Sequence, residues 1–245
     1  MVVGMEIPGI GGIDSEDFVH AVTHVAAPDK EPVGVVRRRR IVVAVTLVIG
    51  AAVLGYSLRR HPGESSFYPL TTALAAVWLG GALLSGPLHL GGIRWQGRKK
   101  RPVITGTAIG LLIAGVFVLG GLVVRRIPLL SALIDRVVSL FAHHGSIWLV
   151  IFIAAINAVA EEIFFRGALY TALGSLRYHP VLVSTILYAV VTMASGNAML
   201  GFAAIVLGTV CAFERRATGG VLAPVLTHVV WGPIMVLALP RIFGV

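Results

Sequence analysis

Long apolar runs, separated by short polar or basic segments, dominate the chain after its first 40 residues. Runs of about 18 or more apolar residues are long enough to cross a bilayer as helices. The pattern therefore predicts an all-α, polytopic integral membrane bundle of seven transmembrane helices. The predicted spans are residues 41–58, 67–86, 103–124, 146–173, 180–195, 198–213 and 221–240.

Two segments do not fit the pattern of a span. Ile127–Ala142 carries Asp135 and Arg136 among leucines and valines, which is typical of an amphipathic helix at the membrane interface; an eighth span is the alternative. Residues 1–36 mix acidic residues with glycine and proline, and we expect a disordered or loosely helical cytoplasmic tail there. The predicted organisation is this tail, then N-terminal helices with the interfacial segment over 37–145, then a C-terminal group of helices over 146–240.

The net charge of +9 does not indicate a nucleic-acid partner, because the basic residues cluster at the ends of the spans. With the N-terminus in the cytoplasm, 13 of the 20 lysines and arginines fall on the inner side and 6 on the outer side. Cytoplasmic loops of membrane proteins carry such an excess of positive charge. The distribution predicts a multi-pass protein of the cell membrane with a cytoplasmic N-terminus and the lipid bilayer as its surroundings.

Three charged side chains interrupt the fourth predicted span, where the sequence Ala160-Glu-Glu-Ile-Phe-Phe-Arg-Gly167 is flanked by apolar residues. Each such charge costs at least about 2.5 kcal/mol at the centre of a bilayer. Charges that are retained in a span despite this cost most often pair with one another or line a functional cavity. This stretch is therefore the first candidate for a site.

Helical spacing arranges these residues in two pairs, because residues four apart share a face. Glu162 and Arg166 are spaced for an ion pair that gives structural support. Asn157 and Glu161 form the other pair, which leaves Glu161 without a charged partner. A carboxylate in this position is a candidate general base. The alternative is that all three charges only hold helices together.

His228 lies inside the last predicted span and also needs a polar partner. At ~1.5 Å per residue, Glu161 lies ~16 Å and His228 ~10 Å from the cytoplasmic ends of their spans. We therefore expect the two side chains to face one cavity open to the cytoplasm, with roughly 3–7 Å between their polar atoms. A core histidine bonded to a backbone carbonyl is the alternative.

The motif Glu161-Glu162-x-x-x-Arg166-Gly167, followed by Pro224-x-x-x-His228, resembles the CAAX protease and bacteriocin-processing (CPBP, or Abi) family over residues 146–235. Its best-known members are the type II CAAX prenyl endopeptidases. The resemblance implies intramembrane proteolysis by a Glu-activated water, with Glu161 as base and His228 stabilising the oxyanion. It implies no cofactor, since this mechanism needs no metal; a metal ion remains a second option because the family has also been described as metalloproteases.

The chain departs from the family pattern at two positions. The family places a Phe-x-x-x-His motif near the base, but this chain has Tyr188 and Thr192 at those positions, and Thr192 can bond a water without accepting its proton at neutral pH. Gly232 stands where the family has Asn or Asp, four residues after His228. His179 is the nearby substitute for the missing histidine.

These features lead to two competing functional hypotheses. The first is an intramembrane endopeptidase acting on a membrane-associated protein or peptide, with Glu161, His228 and Thr192 as catalytic residues and Glu162, Arg166 and Asn157 as support. The second is a degenerate family member that binds membrane proteins or peptides without cleaving them. A transporter is disfavoured, because no internal repeat with paired broken helices is visible.

Overall fold

The computed structural model describes residues 24–26, 31–61, 64, 66–95, 98–142, 146–174 and 179–244. In these ranges the chain is built from helices with one two-stranded antiparallel hairpin. The elements are α1 (Val33–Ser57), α2 (Phe67–Ser85), β1 (Ile93–Trp95), β2 (Arg98–Lys100), α3 (Val103–Val124), α4 (Pro128–Ala142), α5 (Ile147–Glu162), a π-helical segment (Ile163–Leu169), α6 (Tyr170–Gly174), α7 (Pro180–Met193), α8 (Ala198–Thr218) and α9 (Leu222–Phe243).

Six helical runs in the described part of the chain are long and apolar enough to cross a membrane: α1, α2, α3, Ile147–Gly174, α8 and α9. The protein is thus an all-α, multi-pass membrane bundle, as the apolar runs predict. The predicted fifth span forms α7, which has only 14 residues. At ~1.5 Å per residue such a helix is ~21 Å long, shorter than the ~30 Å hydrocarbon core of a typical bilayer.

The ends of several helices differ from the predicted ones. Helix α1 begins at Val33, so residues 33–36 of the predicted tail are part of this helix. Most of the rest of that tail lies outside the described residues. Helix α8 continues to Thr218, five residues past the predicted end, because Glu214 and Arg215 are buried against neighbouring helices. The amphipathic segment forms a helix of its own, α4.

Local sequence explains how α7 and α8 begin and end. Pro180 occupies the first turn of α7, where its missing N–H costs nothing. The side chain of Asn197 caps α8 by accepting hydrogen bonds from the backbone N–H groups of Met199 and Leu200. Gly219 ends α8 with φ +70°, a left-handed conformation that glycine adopts without strain.

Small residues and aromatic rings control how the helices pack. Helix α3 lies along α9, and a Cβ at Gly106 or Gly110 would collide with the backbone of α9, so these glycines allow the close approach. An aromatic cluster, made of the side chains of Trp78, Phe164 and Phe165, fixes α2 against the π-helical segment through ring contacts of 4.8–5.1 Å. This packing holds the charged stretch of the sequence in the centre of the bundle.

The loop formed by residues 86–92, which follows α2, contacts the C-terminal helices through hydrogen bonds and packing. Its backbone pairs with the turn between α8 and α9: Val221 N–H donates to His89 O at 2.9 Å, and Gly92 N–H donates to Thr218 O at 2.9 Å. Leu88 of the same loop packs on Gly167 in the π-helical segment. The loop therefore adjoins both chain segments that lead to the candidate site.

Candidate active site

Glu161 and Glu162 close helix α5, and the π-helical segment begins at the next residue. Single-turn π-helical segments inside α-helices occur frequently at functional sites. The two neighbouring carboxylates have different surroundings: Glu162 is fully buried, whereas Glu161 keeps part of its surface accessible. Adjacent residues on a helix point about 100° apart, so the two carboxylates have different partners.

Glu162 is the centre of a buried ionic cluster. Its Oε1 accepts a hydrogen bond from Arg166 Nη1 at 3.1 Å, which forms the ion pair predicted from their spacing. The same oxygen is 2.9 Å from His228 Nδ1. Because an ionised carboxylate only accepts, the imidazole donates through Nδ1, and Nε2 is the nitrogen left for another partner. One carboxylate oxygen thus holds both the arginine and the histidine.

Arg166 is anchored from three directions. Besides Glu162, its Nη2 donates to the carbonyl of Gly208 at 3.0 Å, and its guanidinium lies 4.6 Å from the centre of the Tyr188 ring. Its backbone carbonyl accepts from Arg215 Nε at 2.8 Å. A Cβ at Gly208 would come within 3.0 Å of Arg166 Nη2, so a glycine is needed there for the guanidinium to fit.

Glu161 has a partner that sequence analysis missed. The hydroxyl of Tyr188 donates to Glu161 Oε2 at 2.7 Å, and Tyr188 itself is buried. The signal was present in the sequence: a tyrosine replaces the family's phenylalanine in the same motif in which threonine replaces histidine. Both changes lie on α7, which packs beside the π-helical segment.

Asn157 does not bond the Glu161 carboxylate, contrary to the predicted pairing. Its Nδ2 donates to the carbonyl of Ile153, one turn earlier in its own helix, at 2.9 Å. Its Oδ1 is buried and has no hydrogen-bond partner among the described residues. The i, i+4 spacing permits contact between Asn157 and Glu161, but the backbone carbonyl and the Tyr188 hydroxyl supply the bonds instead.

Thr192 is held by its own helix. Its hydroxyl donates to the carbonyl of Tyr188 at 2.9 Å, a common arrangement for threonine within a helix. Because that hydroxyl has a single proton, a water at the site could be bonded only through the remaining lone pairs of Thr192. His179 is no substitute: it is exposed at the start of α7, nine residues or ~13 Å along the helix from Tyr188.

His228 lies beside Glu162, and its separation of roughly 3–7 Å from Glu161 stays a prediction. Because Glu161 and Glu162 are adjacent in the chain, both carboxylates and the imidazole belong to one cluster. One turn further along α9, the space around Gly232 is open, and a side chain there would meet nothing within 4 Å. The position where the family has Asn or Asp therefore has room for one.

Glu214 is a third buried carboxylate that sequence analysis did not single out. It is only 7% exposed, and its Oε1 accepts from Thr227, the residue before His228, at 2.9 Å. The same hydroxyl lies 2.9 Å from the carbonyl of Gly106, so these two acceptors share its single proton. Oε2 of Glu214 has no partner within the described ranges. The only hint in the sequence was an acidic residue just before Arg215-Arg216, where we predicted that the span had already ended.

The histidine, cysteine and acidic residues of the described chain form no group of three or more arranged to hold a metal ion. Cys211 is a buried free thiol in α8. The arrangement instead combines proton acceptors with fixed hydrogen-bond donors: Glu161 with the Tyr188 hydroxyl, and Glu162 with Arg166 and His228. Such a set can activate a water and stabilise a developing negative charge without a metal.

Comparison with known proteins agrees with this location. Residues 143–233 match the family model described as type II CAAX prenyl endopeptidase Rce1-like. The match contains the Glu-Glu-x-x-x-Arg motif, Tyr188, Thr192 and His228, and it confirms the predicted resemblance. No curated protein and no solved structure matches the chain significantly.

Proposed function

We propose that this chain, whose residues 143–233 match the Rce1-like family model, is an intramembrane endopeptidase that hydrolyses a peptide bond in a membrane-associated protein. The family suggests CAAX-protease-type activity; the mechanism is our inference from the contacts. The observation that supports the proposed mechanism is that the two carboxylates differ in burial and in hydrogen-bond partners. Glu162 is fully buried and bonds Arg166 and His228, whereas Glu161 is partly accessible and, within the described residues, is bonded to the Tyr188 hydroxyl alone.

In the proposed reaction, Glu161 accepts a proton from a water molecule as the water oxygen attacks the carbonyl carbon of the peptide bond. The carbonyl oxygen becomes an oxyanion, which accepts a hydrogen bond from His228 Nε2. The C–N bond then breaks, and the proton held by Glu161 passes to the leaving amine. The products are a carboxylic acid and an amine, and Glu161 returns to its starting state.

The contact between His228 and Glu162 supports the donor role. Because Nδ1 donates to Glu162, an Nε2–H donor requires the doubly protonated imidazolium form. Arg166 fixes the Glu162 carboxylate in place, and Glu162 in turn fixes the orientation of the imidazole ring. Glu162 and Arg166 thus position His228 and do not themselves meet the substrate.

Tyr188 takes over part of the task of the missing histidine. It cannot accept the proton of water at neutral pH, but its hydroxyl fixes the orientation of Glu161. The proposed base is therefore a single carboxylate positioned by a phenol rather than a carboxylate assisted by an imidazole.

The second candidate is a membrane protein that binds peptides at the same site without cleaving them. Two observations favour it: the Thr192 hydroxyl is engaged with its own helix, and Gly232 places no polar side chain in the space beside it. An oxyanion donor is worth about 10²–10³-fold in rate, so the loss of such groups is severe.

The deciding experiment measures which proteolytic fragments are present in membranes from three strains. The first strain lacks the protein, the second expresses the wild-type protein, and the third expresses the Thr192→His, Gly232→Asn double variant. The protease proposal predicts fragments that need the wild-type protein and that form faster with the double variant. Thr209→His and Gly120→Asn are matched controls, since Thr209 also bonds its own helix and Gly120 also has open space. Fragments produced by the double variant alone would establish the binding function instead.

A further inference from the structure

A polar cavity of about 590 Å³ opens at the end of the bundle that carries the β1–β2 hairpin. The loop 86–92, strand β2 and the turn between α8 and α9 surround it. Its lining residues are His24, Ala26, Leu88, His89, Leu90, Gly91, Gly92, Lys99, Arg101, Thr218 and Gly219. Ligand pockets typically measure about 300–1,000 Å³, so the cavity is large enough for a small polar group.

Two cations of the hairpin region give the cavity its charge. Arg101 is held by a 2.6 Å hydrogen bond from Nη1 to the carbonyl of Gly91, and no described residue occupies its other guanidinium N–H groups. The aliphatic stem of Lys99 lies over Gly92 at the cavity wall. Among the described residues that line the cavity, none is acidic. A positively charged concave surface of this kind attracts anions.

The position of the cavity indicates where such an anion comes from. Helix α2 ends at Ser85, α8 ends at Thr218 and α9 begins at Leu222, so three spans terminate around it. The cavity therefore lies at the level where a span leaves the membrane, on the side that the charge distribution assigns to the cytoplasm. Anionic phospholipid headgroups are concentrated at that surface and bind basic pockets there.

We propose that this cavity binds a phosphate group, with Lys99 and Arg101 as its cationic contacts and an anionic phospholipid headgroup as its source. An arginine offers several N–H donors that match phosphate oxygens, and a lysine adds a mobile point charge. The site is separate from the Glu161 cluster and does not depend on proteolysis.

Leu88 connects the site to the rest of the molecule. It lines the cavity and also packs on Gly167 of the π-helical segment. A ligand that binds only the folded protein raises its thermal stability. Occupancy of the cavity should therefore stabilise the loop 86–92 and, with it, the packing next to the Glu161 cluster.

The test titrates purified full-length protein in a neutral detergent with short-chain phosphatidic acid, short-chain phosphatidylcholine or inorganic phosphate, and measures affinity by calorimetry and melting temperature. The variant is Lys99→Gln, and the matched control is Arg98→Gln. Arg98 precedes Lys99 in β2, is exposed, and points to the opposite face of the strand, outside the cavity lining.

The proposal predicts saturable binding of phosphatidic acid, a raised melting temperature, and about fivefold weaker binding by Lys99→Gln, with less than about twofold change for Arg98→Gln. Inorganic phosphate that competes at similar concentrations identifies a soluble phosphate as the source, and weak competition identifies the lipid; both support a phosphate site. Equal losses in the two variants, equal binding of phosphatidylcholine, or no saturable binding would overturn it.

Discussion

Arg39 and Arg166 are both fully buried and each pairs with a glutamate, yet their surroundings differ. All three guanidinium nitrogens of Arg39 are used: Nε and Nη2 bind Glu31, Nη1 donates to Ser85 Oγ at 3.0 Å, and Nη2 also donates to Pro87 O at 2.8 Å. Arg166 Nε has no partner within the described chain. All guanidinium nitrogens of Arg39 are therefore satisfied. The network around Arg166, in contrast, contains buried polar atoms that have no partner in the described residues.

The two networks also differ in what adjoins them. Arg39 bonds residues that fix the end of α2 and the start of the loop 86–92, which is a structural task. Around Arg166 lie His228, Tyr188 and the partly accessible Glu161, all of which can take part in proton transfer or hydrogen bonding to a substrate. Buried charge alone thus does not identify a site. Titratable neighbours and incompletely satisfied atoms do.

Removal of Arg166 should have the largest effect on folding. Arg166→Ala leaves Glu162 as a buried carboxylate without its arginine, and breaking such a pair costs about 3–5 kcal/mol. We expect a sharp loss of folded protein, measured as the monodisperse fraction after detergent extraction and by melting temperature. Glu161→Gln is the control and should leave the yield nearly unchanged. Equal loss of yield in both would mean that the supporting and catalytic roles are assigned wrongly.

Removal of Arg39 should cost less, because its partner Glu31 precedes the first helix and keeps 7% of its side chain exposed, whereas Glu162 has no exposed surface. The loss of hydrogen bonds to a charged group predicts a destabilisation of about 1.5–3 kcal/mol for Arg39→Ala. Arg38→Ala is the matched control, since Arg38 is exposed on the same helix. Equal melting temperatures for Arg39→Ala and Arg38→Ala would contradict the structural role of Arg39. So would a loss of substrate processing in Arg39→Ala protein that remains folded.

The smallest of these effects should come from the hydroxyl of Tyr188. Tyr188→Phe removes only the hydrogen bond to Glu161, so we expect about a tenfold lower rate of substrate processing, in line with one hydrogen bond of roughly 1.4 kcal/mol. Thr192→Ala is the control and should change the rate less than about twofold, because the Thr192 hydroxyl bonds its own helix. If Thr192→Ala lowers the rate more than Tyr188→Phe does, Thr192 rather than Tyr188 supports Glu161.

The sequence predicts the parts of this structure that depend on local pattern. Apolar length identifies the helices, and the spacing of four residues identifies the Glu162–Arg166 pair, because both follow from the geometry of one helix. Contacts between helices do not follow from such rules. His228 binds Glu162, and Tyr188 binds Glu161, only because α9 and α7 are placed by packing across the bundle.

The basic segments show a second limit. Arg37–Arg40 counts as one positive cluster in the sequence, yet Arg39 is buried while Arg38 is exposed, since one helix face meets α2 and the other does not. Similarly, the cluster Arg98–Arg101 contains strand β2 and borders a cavity, which no charge pattern indicates. The charge pattern predicts on which side of the membrane a basic cluster lies, but it does not predict the partner of each basic side chain.

The most direct test of the account measures hydrolysis by Glu161→Gln, using purified protein and a substrate identified from the fragment comparison. The amide has nearly the shape of the carboxylate but no affinity for the water proton, so the rate should fall by at least about 10²-fold, the lower end of the range for general acid–base catalysis. Melting temperature and substrate binding should stay unchanged. A variant that cleaves at the wild-type rate while remaining folded would contradict the assignment of Glu161 as the base.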